Sequence, residues 1–309
     1  MKQISEKAYA KINLSLDVIR RRPDGYHEVK MIMQTVGICD TITISKTDDK
    51  GIFLKVGDAP LPCDKSNLVY KAAEMVMQQF DIREGVEITL DKNIPIAAGM
   101  AGGSSDAAAV FRGMNRLFEL GMSLPEMQKM GVKIGADIPY CVMGGTALSE
   151  GIGEILSPLL APPKAYLLIA KPDIDVSTKF VYENLHADTL SYHPDVDGMV
   201  QALESGDLKG ITDRMGNVLE TVTEKAYPVI GEIKKLMKAE GAENALMSGS
   251  GPTVFGIYRK KDTAEKACAV LQKQKIAKQI FVTEFVLPEY TPEVNEIMSG
   301  EFGKKEEEA

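Results

Sequence analysis

Ala8, Ala10, Ile12, Leu14, Leu16 and Val18 alternate with Lys11, Asn13, Ser15 and Asp17. A period of two predicts a half-buried strand over 8–18 with its polar face in water. Shorter runs of this kind predict strands over 41–45, 52–56 and 86–90, after a turn at Pro23-Asp24-Gly25. The pattern then changes to helical spacing. Leu68, Ala72, Met75, Val76 and Phe80 form an apolar stripe over 66–79, with Ser66 as its cap. A Gly- and Ala-rich stretch over 93–103 leads into a helix over 104–120, capped by Ser104 or Ser105. Ser123 and Glu126 make a capping box for a helix running to 134. Residues 135–139 break it, and 140–149 reads as extended around Gly144-Gly145.

Ala161-Pro162-Pro163 punctuates the chain, which places a domain boundary near 160 and gives units over 1–160 and 161–289. The second unit opens with a short buried strand over 165–170, and several helices fill 177–239. A strand, a glycine turn and a strand over 244–258, a helix over 263–274 and an extended segment over 279–286 complete it. Both halves read as α+β or α/β. The remaining 290–309 form a charged tail that frays at its end.

Composition narrows the function classes. The chain has 309 residues, 44% hydrophobic and 26% charged, with a net charge of −8. That is a globular composition, and its acidity argues against a nucleic-acid footprint. No apolar run is long enough to span a bilayer, and the first residues lack the apolar core of a secretory signal. Cys39, Cys63, Cys141 and Cys268 are scattered without metal-ligand spacing, so they read as idle thiols in a reducing, cytoplasmic compartment.

The chemistry concentrates in a few places. Pro95-Ile96-Ala97-Ala98-Gly99-Met100-Ala101-Gly102-Gly103-Ser104-Ser105 lies between a predicted strand and a predicted helix. Small residues let the backbone approach an anion, and a helix start offers free N–H groups and a positive dipole end. On its own the segment also reads as a well-capped flexible loop. The two serines favour a phosphate cradle, although it is neither a Walker A loop nor a dinucleotide fingerprint. Ser248-Gly249-Ser250-Gly251-Pro252-Thr253 is a second side-chain-poor turn, suited to packing against another loop or a ligand. Lys11 and Asn13 share the polar face of the first strand, where lysines are ordinarily solvated. Asp137, in Gly135-Ala136-Asp137-Ile138-Pro139, reads as a cap or as a partly desolvated base. His27, beside Tyr26 after the first turn, reads as part of a surface loop or as a group that could hydrogen-bond to and stack on a ring.

Together these blocks resemble the GHMP small-molecule kinase superfamily. The resemblance narrows, through Ala10-Lys11-Ile12-Asn13-Leu14, Arg22-Pro23-Asp24-Gly25-Tyr26-His27-Glu28 and the Asp137 block, to the kinases of 4-diphosphocytidyl-2-C-methyl-D-erythritol in the non-mevalonate isoprenoid route. It spans most of the chain up to Val286. It implies a two-domain α+β fold, with a ribosomal-protein-like N-terminal domain and a ferredoxin-like C-terminal one. It implies ATP with Mg²⁺, a small cytidyl diphosphate substrate, no nucleic acid or membrane partner, and a monomer or homodimer. Asp137 would take the proton of the 2-hydroxyl and Lys11 would neutralise charge on the moving phosphoryl group. Residues 95–105 would hold the ATP phosphates, with Asn67 and Lys92 on the adenine side and Ser104 or Ser105 near the metal. Asn13, Tyr26, His27, Ser177 and Thr178 would contact the substrate, and Gly249, Ser250 and Gly251 would form the structural glycine loop. Ala98 and Ala101 stand where relatives often carry glycine, which matters only if their φ is positive. Asp106 is expected to point away from the phosphates.

Overall fold

The computed structural model describes residues 1–292, so the expected charged tail lies outside the described residues from 293 onward. Within that span the elements are β1 (Gln3–Arg21), β2 (His27–Thr47), β3 (Ile52–Val56), α1 (Leu68–Gln79), β4 (Gly85–Asp91), α2 (Gly102–Leu117), α3 (Leu124–Gly131), α4 (Ile138–Met143), β5 (Thr146–Glu150) and β6 (Ile155–Leu159). The second half adds β7 (Tyr166–Lys171), α5 (Thr178–Glu183), α6 (Val196–Glu204), α7 (Leu208–Asp213), β8 (Gly216–Asn217), α8 (Glu220–Ala226), α9 (Val229–Ala239), β9 (Asn244–Met247), β10 (Val254–Tyr258), α10 (Lys261–Gln274) and β11 (Gln279–Glu284). No helix among the described residues is long and apolar enough to cross a membrane.

β1 and β2 form one long antiparallel hairpin, closed by a turn in which Gly25 has φ +89°. That hairpin is the spine of a sheet ordered β3-β4-β2-β1-β8, with β5 attached to β2 and β6 to β5. The second sheet is antiparallel, ordered β11-β7-β10-β9, which is the strand order of a ferredoxin-like unit. β8 joins the first sheet, parallel to β1, although it lies far past Pro163 in the chain.

β1 departs most from expectation. Its polar positions are not solvated: Lys11, Asn13, Ser15 and Asp17 are all buried. Both sides of the strand are covered. Ala10, Ile12 and Leu14 pack against Leu167 and Ile169 of β7 and Phe255 and Ile257 of β10. The opposite face turns under the glycine-rich segment, whose Met100 carbonyl accepts from Lys11 N at 3.1 Å. Register shifts between Tyr9 and Lys11 and between Asn13 and Ser15 re-aim the side chains there.

Helix starts also differ. Asn67, not Ser66, caps α1, its side chain accepting from Val69 N at 2.9 Å. α2 begins at Gly102, and its cap, Ala101, contributes no side-chain bond, so Ser104 and Ser105 lie inside the first turn. The capping box at Ser123 and Glu126 is present. Of the stretch from Tyr140 to Ser149, read as extended, only Thr146 onward is a strand; Ile138 to Met143 is a helix. Pro139 sits in its first turn, where a missing N–H costs nothing, and every residue is buried, which erases any periodicity.

Candidate active site

The glycine-rich segment between β4 and α2 is held from two sides. Gly99 has φ +69°, and a Cβ placed there would lie 2.2 Å from the Ser248 carbonyl oxygen. Ser248 Oγ donates to Gly99 O at 2.9 Å. The second glycine turn is therefore the clamp on the first, and the two backbones interlock because Gly99 and Gly251 place no side chain between them. Asn217 braces that clamp, its amide donating to Met247 O at 2.9 Å and Gly249 O at 2.8 Å. Of the two alanines that replace glycine, Ala101 sits in the left-handed region at φ 56°, whereas Ala98 does not; Ala97, at φ 51°, does. The loop thus stores backbone strain at Ala97 and Ala101.

The first bond inside α2 runs from Ser105 N to Ala101 O at 2.8 Å. The N–H groups of Gly102, Gly103 and Ser104 precede it and form the positive end of the helix dipole. They open on a cleft of about 1020 Å³ that also exposes Pro95, Ile96, Ala97, Ala98, Gly99 and Ala101. Met100 and Ser105 stand behind this wall. Met100 is buried between the sheets, and Ser105 Oγ donates to Tyr9 O at 2.7 Å.

Lys11, Asn13 and Asp137 meet in the same cleft. Lys11 Nζ lies 4.0 Å from Asp137 Oδ2 and donates to Asn13 Oδ1 at 2.7 Å. The Lys11 side chain is 5% exposed and that of Asp137 35%, so the pair sits at the cleft floor with the carboxylate facing the opening. Asp137 precedes α4 but its side chain caps nothing, which leaves both oxygens available. The turn before it adjoins α2: a Cβ on Gly135 would lie 4.0 Å from Ser104 Oγ.

Tyr26 and His27 line the far end, with Tyr26 60% exposed. Burial, aided by the charge of Arg21, holds the His27 imidazole below its ordinary pKa, so it stays neutral and keeps both a donor and an acceptor at neutral pH. Its ring centroid is 5.0 Å from that of Tyr182. Tyr182 and Arg21 line the cleft and were not legible in spacing, since α5 lies far along the chain in a region read only as helical. Thr178 also lines it, its Oγ1 2.9 Å from Ser250 Oγ, while Ser177 caps α5 and Gly251 stands outside the wall.

Asn67 and Lys92 reach the cleft on the α1 side, but both are engaged. Asn67 spends its side chain on the cap and on Pro62 O. Lys92 is clamped between the buried carboxyl groups of Asp40 and Asp106. Asp106 turns inward, a turn past the helix start, onto Lys92, its partner at 2.9 Å. Burial, opposed by Lys92 and aided by Asp40, pushes its carboxyl up to about 8. The cysteines are unpaired, and among the described residues no cluster of His, Cys, Asp and Glu could hold a metal ion.

Two family models match the chain: the GHMP kinases N terminal domain over residues 67–145 and the GHMP kinases C terminal domain over 199–277. A 4-diphosphocytidyl-2-C-methyl-D-erythritol kinase of Lachnoclostridium phytofermentans is 52% identical over 282 residues, 91% of this chain and 97% of that protein. One from Lachnospira eligens is 50% identical over 288 residues, 93% and 100% of the two chains. A crystal structure of a 4-(cytidine 5'-diphospho)-2C-methyl-D-erythritol kinase superposes with a TM-score of 0.79 at 29% identity, covering 92% of this chain and all of that one. A homoserine kinase from Cytophaga hutchinsonii shares the fold, at a TM-score of 0.75 and 21% identity over 92% of this chain and 95% of its own. With both halves matched and relatives aligned along nearly their whole length, the chain belongs to the 4-diphosphocytidyl-2-C-methyl-D-erythritol kinase family of the GHMP kinases.

Proposed function

We propose that this chain transfers the γ-phosphoryl group of ATP to the 2-hydroxyl of 4-diphosphocytidyl-2-C-methyl-D-erythritol, in the cytoplasm. The observation that carries the reading is the 4.0 Å pairing of Lys11 with Asp137 on the floor of the cleft that also holds the glycine loop and Tyr26-His27. ATP lies with its phosphates on the N–H groups of Gly102, Gly103 and Ser104. The cytidyl group lies at the other end, stacked on Tyr26, with His27 hydrogen-bonding to the base edge. The two ligands bring the hydroxyl and the terminal phosphorus together above Asp137.

In the transfer, the hydroxyl oxygen bonds to phosphorus, the bond to the ADP oxygen breaks, and the hydroxyl proton goes to Asp137. Lys11 faces the equatorial oxygens and offsets their charge, which is the main thing a protein adds to phosphoryl transfer. Asn13 fixes the Lys11 ammonium through its Oδ1. Mg²⁺ supplies further charge neutralisation when it arrives on the phosphates. Ser104, on the cleft wall, is the side chain that would contact it, the remaining contacts coming from phosphate oxygens and waters.

ADP release from Mg-ATP, measured with the cytidyl compound, mevalonate, homoserine and galactose in turn, tests the reading. Release with the cytidyl compound alone is expected. Release with another acceptor and not with this one overturns it, because none of the others has a base for Tyr26 and His27 to hold.

A further inference from the structure

Arg112 is buried midway along α2 and reaches no part of the cleft. Its Nη2 donates to the Lys7 carbonyl on β1 and its Nη1 to the Cys141 carbonyl on α4, each at 2.9 Å. β1 carries Lys11, and α4 begins directly after Asp137. One planar guanidinium therefore ties together the two elements whose side chains meet at the cleft floor. Its fork of donors fixes direction as well as distance, which a lysine would not.

The guanidinium is itself covered. The ring of Tyr290 lies over it, 3.7 Å from Cζ to the ring centroid, and Glu6 flanks it at 3.6 Å. Tyr290 belongs to a segment after β11 that straps the C-terminal end of α4. A Cβ on Gly144 would come within 3.0 Å of Tyr290 Cε2, and one on Gly145 within 2.8 Å of Thr291 Cγ2. The strap is anchored to β2 at its start, Val286 N donating to Thr35 O at 3.1 Å and Gln34 Nε2 to Val286 O at 3.3 Å. α4 spans only six residues, too few to hold an orientation without such partners.

Resting on the roles given above to Lys11 and Asp137, we propose that Arg112, capped by Tyr290 of the C-terminal strap, is a positioning group that sets Asp137 against Lys11. Removing the aromatic cap lets the guanidinium and α4 shift, which misaligns the proton acceptor while leaving both ligand ends of the cleft untouched.

The test uses the full chain with Tyr290→Ala, Tyr290→Phe, Asp137→Asn and the Tyr290→Ala/Asp137→Asn pair, in steady-state assays with Mg-ATP and the cytidyl substrate. Tyr290→Ala is expected to lower kcat by about tenfold with both KM values within about twofold of the parent, since misplacing a reacting group costs turnover rather than binding. Tyr290→Phe is expected to keep the parent rate, because the ring and not the hydroxyl covers the guanidinium. The paired variant is expected to be no slower than Asp137→Asn alone, as groups acting through one residue are not additive. If Tyr290→Ala fails to fold, Tyr290→Leu, which fills the volume without a π face, is read in the same way. An unchanged kcat in the alanine or leucine variant, a change confined to KM, or a loss that multiplies with that of Asp137→Asn overturns the proposal. A parent rate in Asp137→Asn alone would instead remove the site assignment on which it rests, so the two failures are told apart.

Discussion

Gly99→Ala puts the interlock of the two glycine turns under direct strain. The added Cβ would stand 2.2 Å from Ser248 O, 3.1 Å from Gly251 O and 3.2 Å from Gly251 N, all backbone atoms that cannot swing aside. The φ of +69° adds a left-handed penalty of roughly 1–2 kcal/mol for a residue with a side chain. Overpacking of this kind costs roughly 1–3 kcal/mol more. A loss of about 2–5 kcal/mol is a large share of the 5–15 kcal/mol typical of a folded domain. Part of it will be relieved by parting the loops, which moves the N–H groups of α2 away from where the proposed function places the ATP phosphates. Urea unfolding and kcat/KM for ATP should therefore fall together. Gly103→Ala is the control for stability: its Cβ meets only Leu68 Cδ1, at the ordinary distance of 3.4 Å, and alanine favours the helix. If Gly99→Ala unfolds at the parent midpoint and keeps its ATP KM, the clamp described here does not hold the loop.

Two further outcomes follow from named side chains. Tyr26→Ala should raise the KM for the cytidyl substrate by about 5- to 150-fold, the equivalent of roughly 1–3 kcal/mol of stacking, while ATP KM stays near the parent value; an equal loss on the ATP side would put the wrong base on this ring. Asp106 binds its proton more tightly folded, with a pKa of about 8, than unfolded, at the ordinary carboxyl value of 3.8, so unfolding releases a proton across that window. Stability should then fall as pH rises from about 4 to 8 and level off above it, and Asp106→Asn should flatten that slope in urea titrations at several pH values; an identical slope in both proteins would contradict the inward, buried placement of this carboxyl.

What the sequence carried was whatever local backbone chemistry decides. The glycine-rich segment, the Ser123 capping box and the strand–turn–strand around Ser248 are set by their own residue types, and they stand where spacing places them. The features that spacing missed are long-range. The polar side of β1 is buried because the glycine-rich segment and Asp137 lie over Lys11, while a second sheet, made from residues after Pro163, covers the strand's other side. β8 joins that first sheet from far along the chain, and α4 carries no period because all its sides are covered. Tyr182 beside His27 and Tyr290 over Arg112 are contacts across more than a hundred residues of sequence, for which no local pattern exists. The cleft was thus legible as a set of blocks, whereas the groups that support them were not.

The claim on which the rest depends is that Asp137, paired with Lys11, receives the hydroxyl proton during phosphoryl transfer. Asp137→Asn keeps the size and removes the charge, and its kcat with Mg-ATP and the cytidyl substrate, measured beside ATP affinity, addresses this directly. The expected result is a fall in kcat of about 10²- to 10⁴-fold with ATP binding nearly intact. A kcat at the parent level would contradict it.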